Sequence, residues 1–238
     1  MLIGGLQKLT LLDFPEKIAC IVFTSGCNFR CPYCHNSGLV TKITDSFLPE
    51  EEILNFLKKR QGLLDGVVIT GGEPLLQKDI IPFIKKIKDL GFLVKLDTNG
   101  SYPEVLKSLV EENLLDYVAV DIKNTKELYN KTCGLVEGSI INGLPSIDFT
   151  KIDATIKFLL SDKVDYEFRT TVVKELHTKE SLLALSNWVG KAKRHYLQNF
   201  KDSDSVIKTG FHSYTDDELK AIYKSIAPKF NNLQLRGI

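Results

Sequence analysis

Apolar residues along the chain come in short runs that alternate with longer stretches of helical spacing. Residues 18–24 form an apolar, β-branched run that stops at Ser25-Gly26, which reads as a buried strand delivering the chain into a loop. After a polar stretch, Pro49 opens a helical pattern with Ile53, Leu54 and Leu57 on one face. Residues 66–70 then make a second short strand, again ending at glycines, Gly71 and Gly72. The pattern continues with Ile80, Phe83, Ile84 and Ile87 at helical spacing, a strand at 92–97, and a helix carrying Leu106, Leu109, Val110 and Leu114. Residues 117–123 read as a fourth strand, 152–160 as part of a helix, 166–173 as a fifth strand, 181–188 as a helix and 195–200 as a sixth strand.

Strand and helix thus alternate about six times, which predicts a parallel sheet with right-handed crossovers. Six units are fewer than the eight that close a full barrel, so the expected fold is α/β, a partial (β/α)6 TIM-like barrel, in preference to a flat doubly wound sheet. In either fold the site lies at the C-terminal ends of the strands. Residues 201–238, with a helix at 216–226, are expected to be a C-terminal cap or edge on a core spanning about residues 17–200, all within one domain, 1–238. No internal repeat, low-complexity tract or interdomain linker interrupts the pattern.

Composition changes little in this picture but narrows the function. Hydrophobic residues make up 43% and charged residues 26% of the 238, enough apolar material for a core and no signature of disorder. Lys and Arg total 31 against 30 Asp and Glu, well mixed, so a nucleic-acid partner is not expected. With no secretory leader and no apolar run long enough to span a bilayer, no membrane association and a cytoplasmic location are expected. Three of the five cysteines fall within eight positions, which in a reducing compartment points to metal rather than disulfides.

Those three, Cys27, Cys31 and Cys34, have C-x3-C-x2-C spacing on the loop that follows the first strand. Soft thiolates suit zinc or an iron–sulfur cluster. A [4Fe-4S] cube normally takes four protein ligands, so three leave one iron open to a small molecule. The alternative is structural zinc held by the cysteines and His35, but such sites usually join two separated ligand pairs, whereas these candidates share one loop. Cys20 reads as a small core residue and Cys133, beside Gly134 in a loop, as an inert thiol or one near the active site, the inert reading being preferred. Strand alternation puts Asp121 and Lys123 on one face, opposite Val118, Val120 and Ile122, with the charges expected toward the lumen. Glu167, Arg169 and Thr171 likewise share a face, and a buried arginine there needs an anionic partner. His177, His195 and His212 belong to no motif and read as surface or core residues.

The cysteine loop, with aromatic Tyr33 before its last cysteine, resembles the signature of the radical S-adenosylmethionine (SAM) superfamily. Gly71-Gly72-Glu73-Pro74 resembles the family's GGEP motif, in which glycine backbone meets the amino group of SAM. Leu96-Asp97-Thr98-Asn99-Gly100 and Val120-Asp121-Ile122-Lys123 resemble strand ends of glycyl-radical activating enzymes such as the pyruvate formate-lyase activating enzyme. That resemblance implies a monovalent cation near Asp97, Thr98 and Asp121, a lysine contact to SAM from Lys123, and Arg169 near the SAM carboxylate, Arg169 otherwise pairing with Glu167 or Asp121. Together these imply a cluster on Cys27, Cys31 and Cys34 and a SAM site built from Tyr33, Gly71, Gly72, Glu73, Asp97, Thr98, Asp121, Lys123 and Arg169, with no further catalytic residue. Ile3-Gly4-Gly5-Leu6-Gln7, Asp13-Phe14-Pro15, Cys34-His35-Asn36 and Tyr166-Glu167-Phe168-Arg169-Thr170-Thr171 extend the resemblance to activating proteins of anaerobic ribonucleoside-triphosphate reductase. The implied activity is reductive cleavage of SAM to make a glycyl radical on such a reductase, with flavodoxin or ferredoxin as electron donor. Two other readings stay open: a radical SAM enzyme modifying a small molecule, in the manner of 7-carboxy-7-deazaguanine synthase, and a non-catalytic iron–sulfur redox protein.

Overall fold

A computed structural model of the chain describes residues 1–41, 47–135, 147–201, 203 and 205–238. Eight strands form one open sheet in sequential order. β1 (Ile3–Thr10) is antiparallel to β2 (Ala19–Thr24). From β2 onward every neighbouring pair is parallel: β3 (Gly66–Gly71), β4 (Leu93–Thr98), β5 (Tyr117–Asp121), β6 (Asp165–Val172), β7 (His195–Asn199) and β8 (Leu233–Arg236). Helices α1 (Ser37–Thr41) and α2 (Glu50–Lys58) connect β2 to β3, and α3 (Ile80–Asp89) and α4 (Pro103–Glu111) serve the next two crossovers. α5 (Lys126–Thr132) and α6 (Phe149–Leu160) lie between β5 and β6, α7 (Lys179–Val189) before β7 and α8 (Asp216–Ile226) before β8. The expected open α/β partial barrel is present, and its six predicted parallel strands are β2 to β7.

Two strands extend it. β1 has glycines at its start and mostly exposed positions, so no alternating apolar signal marks it. β8 is four residues long and lies within the segment expected to cap or edge the core. Within that segment β8 is the last strand of the sheet, and the Lys208 N–H bonds the Pro32 carbonyl of the cysteine loop at 2.9 Å. The third and fourth helices follow their apolar spacing, but Leu114 lies past the end of α4 and packs from the turn. α5 occupies a stretch without apolar periodicity and is held by buried Tyr129 and Thr132.

The two faces of the sheet bury different things. Cys20, Val22, Val67, Ile69, Val94, Leu96, Val118, Val120 and Phe168 point toward the helices and join the main apolar core. Their neighbours one residue along point into the barrel, as period 2 requires. At the N-terminal end of the lumen, Ala19, Ile21, Val68 and Tyr117 form a second, small apolar cluster plugged by Phe14 from the β1–β2 connection. A Cβ on Gly66 would come within 2.8 Å of the Phe14 ring, so the plug sits where only glycine leaves room. Above it the lumen turns charged.

Candidate active site

The C-terminal ends of β2 to β6 assemble the mouth. β2 runs into the cysteine loop; Cys31 is buried while Cys27 and Cys34 are half-buried. The loop is braced from several sides. Arg30 donates to the carbonyls of Cys27 and Phe29 at 2.6 and 2.8 Å, and Asn28 bonds both Ser101 and Asn99 at the end of β4. Phe200 supports it from the end of β7, stacking on His35 at 5.2 Å between ring centres and meeting Tyr33 edge-on at 6.3 Å.

Gly71 and Gly72 dock against this loop rather than merely ending β3. The Gly72 N–H bonds the Thr24 carbonyl at 2.9 Å and the Glu73 N–H bonds that of Gly26 at 2.8 Å. A Cβ on Gly71 would meet the Thr24 oxygen at 2.3 Å, and one on Gly72 the Gly26 oxygen at 1.9 Å. The two glycines are therefore demanded by backbone-to-backbone packing, which holds the second motif against the first. Glu73 is fully buried and accepts from Leu75 N–H, Asn99 N–H and Thr98 O–H at 3.0, 2.7 and 2.7 Å. Burial pushes its carboxyl up to about 7, against these three donors.

The lumenal charges form one connected ladder. Arg169 on β6 reaches Asp121, its register partner on β5, at 2.9 Å and Asp97 on β4, one strand further, at 3.0 Å, tying three adjacent strands together. Lys123 takes the other oxygen of Asp121 at 3.1 Å, and Lys95 takes the other oxygen of Asp97. Glu167 does not pair with Arg169; it is held by both terminal nitrogens of Arg236 on β8 at 2.9 and 3.0 Å and by the Tyr117 hydroxyl at 2.9 Å. Burial opposes ionisation of Asp97 and Asp121, yet the facing cations win and hold both carboxyls below the usual range. The same contacts raise Lys123 and Arg169 despite their burial, so all four groups are charged.

Cys27, Cys31, Tyr33, Cys34, Gly71, Gly72, Asp97, Thr98, Asp121, Lys123 and Arg169 all line one cavity of about 220 Å³, open on one side. Glu73 alone of the expected residues stands behind its wall, working through Thr98 and Asn99. Cys133 is not an isolated thiol. It caps the end of α5 fully buried beside Cys31; their interaction lowers the Cys31 thiol, while burial pushes that of Cys133 well up. Its carbonyl accepts the Arg30 N–H at 3.0 Å, and a Cβ on Gly134 would lie 2.0 Å from the Arg30 oxygen. Asn28, Asn99, Ser101, Lys95 and Arg236 were also not singled out from sequence. Lys95 was legible, standing two residues before Asp97 on the same strand face. Of the histidines, His177 and His195 are core residues, and His212 pairs with Glu175 on the surface.

The profile of the Radical SAM superfamily matches residues 21–140. The chain belongs to this superfamily. A Methanocaldococcus jannaschii protein named, provisionally, as a glycyl-radical enzyme activating enzyme is 33% identical over 99% of this chain and 90% of its own length. The pyruvate formate-lyase-activating enzyme of Clostridium pasteurianum is 34% identical over 52% of this chain and 53% of its own length. A Thermococcus kodakarensis protein named, again provisionally, as a GTP 3′,8-cyclase is 32% identical over 67% of this chain and 49% of its own length. Against these last two the chain spans about half of the relative. A radical SAM methyltransferase from Sphaerobacter thermophilus shares the fold with a TM-score of 0.71 at 13% identity, over 96% of this chain and 68% of that one.

Membership in a radical SAM family implies a [4Fe-4S] cluster and SAM, and the residues present fit both. Three thiols open onto one cavity, and among the described residues no three Cys, His, Asp or Glu side chains converge on a single-ion site. Thiolates are the ligands such a cluster takes. The buried Tyr33 hydroxyl has no protein partner and lines the same cavity. The expected monovalent cation fits less well. Each of the four carboxylate oxygens of Asp97 and Asp121 already receives a charged donor, and the Thr98 hydroxyl donates to Glu73. Among the described residues, no helix is long and apolar enough to cross a membrane.

Proposed function

We propose that this radical SAM enzyme is a glycyl-radical activase whose target is an anaerobic ribonucleoside-triphosphate reductase. The observation that carries the reading is the placement of the thiol loop, the Gly71-Gly72 turn and the Asp97–Arg169–Asp121–Lys123 ladder around one cavity, in a chain alignable almost end to end with an activating-enzyme relative. Tyr166-Glu167-Phe168-Arg169-Thr170-Thr171 and Cys34-His35-Asn36 support the reductase as target.

Cys27, Cys31 and Cys34 would hold the cluster, and Arg30, Asn28 and Cys133 brace their loop. The cluster would supply the one electron needed for reductive cleavage of the C5′–S bond of SAM to methionine and a 5′-deoxyadenosyl radical, the species able to take a hydrogen atom from a target glycine. Lys123 and Arg169 offer cationic donors to the SAM carboxylate, and the Gly71–Gly72 backbone offers its amino group a carbonyl lining. Tyr33 closes the cavity beside the thiols and gives its orphaned hydroxyl a partner. Phe29 and Val40 line the remaining wall and limit water around a radical that would otherwise be quenched. Flavodoxin or ferredoxin is the electron donor in this reading.

The test is anaerobic reconstitution with iron and sulfide, reduction with dithionite and addition of SAM. The expected result is 5′-deoxyadenosine plus methionine, and a glycyl doublet in electron paramagnetic resonance once the reductase is added. Absence of 5′-deoxyadenosine would sink the enzymatic reading. Deoxyadenosine without a doublet would instead favour a small-molecule substrate, a reading supported by the similarity to GTP 3′,8-cyclases.

A further inference from the structure

The lumenal carboxylates are saturated by the protein's own cations, and one of them comes from an unexpected place. Lys95 is 2% exposed and lies one pleat below Asp97 on β4. Its neighbours in register are Val68 on β3 and Tyr117 on β5, and its ammonium stands 5.8 Å from the centre of the Tyr117 ring. From that floor it reaches up to Asp97 Oδ1. Arg169 covers Asp97 Oδ2 and Asp121 Oδ1, and Lys123 covers Asp121 Oδ2. Three cations therefore face two carboxylates. Glu167 adds nothing to the balance, because Arg236 neutralises it. Even with Glu73 ionised the cluster carries no surplus negative charge, and the Thr98 hydroxyl is engaged by Glu73 and the Gly100 N–H.

We propose that Lys95, together with Arg169, is a built-in replacement for an alkali cation: it neutralises Asp97 from below so that the carboxylates can stand beside bound SAM without a monovalent ion. Lys95 acts through Asp97 and is a positioning residue, not one that touches SAM. Asp97 in turn fixes the guanidinium of Arg169, so loss of the ammonium leaves Asp97 with one cation where it had two. An ion of K⁺ size could then enter the space the ammonium vacates. The proposal rests on the reading above only in taking SAM to bind at this ladder.

The experiment uses the anaerobically reconstituted wild-type protein and Lys95→Met, whose side chain keeps most of the volume. SAM affinity is measured by equilibrium dialysis in tetramethylammonium chloride and in KCl or NaCl at matched ionic strength. Wild type is expected to bind SAM equally in all three salts, within about twofold, since matched ionic strength screens all three alike. K95M is expected to bind about tenfold more weakly in tetramethylammonium, the loss of one charge-assisted hydrogen bond, and to recover most of that in KCl or NaCl. The cluster-free proteins give a second readout: alkali salts should raise the melting temperature of K95M relative to tetramethylammonium and leave wild type unmoved. A wild type whose SAM affinity rises several-fold with K⁺ overturns the proposal, and that titration decides even if K95M does not fold. A K95M defect that no salt repairs overturns it too, assigning Lys95 to packing alone. A wild type that binds SAM in no salt is a different failure, that of the SAM reading itself.

Discussion

The same strands carry opposite chemistry on their two faces. On β4 the outward residues Val94 and Leu96 are wholly buried against helices, while Lys95 and Asp97, each one position away, enter a lumen of paired charges. β5 and β6 repeat the contrast, with Val118, Val120 and Phe168 outside and Asp121 and Arg169 inside. Outside, apolar residues of about the right size keep the sheet and helices together. Inside, an ion pair removed from water returns little net stability over an apolar pair, so its retention there points to function. The outer layer holds the barrel; the inner one sets what it can bind.

The largest expected effect comes from the mouth. Cys31→Ala should abolish the cluster and with it SAM cleavage, while the apo protein melts close to wild type; iron and sulfide content, the visible absorbance and a thermal scan together check this. Loss of cleavage with a full complement of iron would break the assignment of Cys31 as ligand.

Next is Arg169→Gln, which leaves two buried carboxylates, Asp97 and Asp121, with one lysine each where they had two cations, and should cost about 3 kcal/mol of stability, measured by urea unfolding. The pH dependence gives the mechanism. Asp97 and Asp121 are held below the usual carboxylate range, so they contribute stability above about pH 4 that is lost as pH falls through their folded values. R169Q should weaken that contribution and move acid unfolding to higher pH. Leu96→Ala, on the outer face of the same sheet, should cost about 3 kcal/mol with no change in the acid limb. If the two variants shift acid unfolding alike, the contrast between the faces fails.

A smaller effect is expected at Glu73, whose folded carboxyl sits near 7, above its unfolded value. The protonated form is thus favoured in the fold, and stability should decline as pH rises from about 4.5 to 7, by up to about 1.4 kcal/mol per pH unit. Glu73→Gln should flatten that slope in paired denaturation curves, and an unchanged slope would assign it to other groups. Smallest is Lys85→Ala, which breaks an exposed pair with Glu112 and should leave the melting temperature indistinguishable from wild type in a thermal scan.

Much of this could be read from the chain because it is local. Residues 18–24 and 66–70 announce buried strands by composition, the cysteine spacing lies within eight positions, and period 2 alone puts Asp121 with Lys123 and Glu167 with Arg169 and Thr171. Period 2 assigns a face but not a neighbour on another strand. Arg169 meets Asp97, 72 residues away, and Asp121, 48 away, whereas Glu167 on the same face turns to Arg236, 69 residues on. Cys133 looked inert because nothing in its surroundings along the chain is chemical; the end of α5 carries it to Cys31. The same holds for the glycines. Their identity suggested a close backbone approach, but only the folded chain shows that the approach is to Thr24 and Gly26 of the cysteine loop. Sequence alone determined which strands form, which way their charges point and which thiols sit together, since each depends on spacing within one element. Tertiary structure decided which charge neutralises which, because strand order and register bring side chains from β4, β5, β6 and β8 together in a lumen that no local pattern describes.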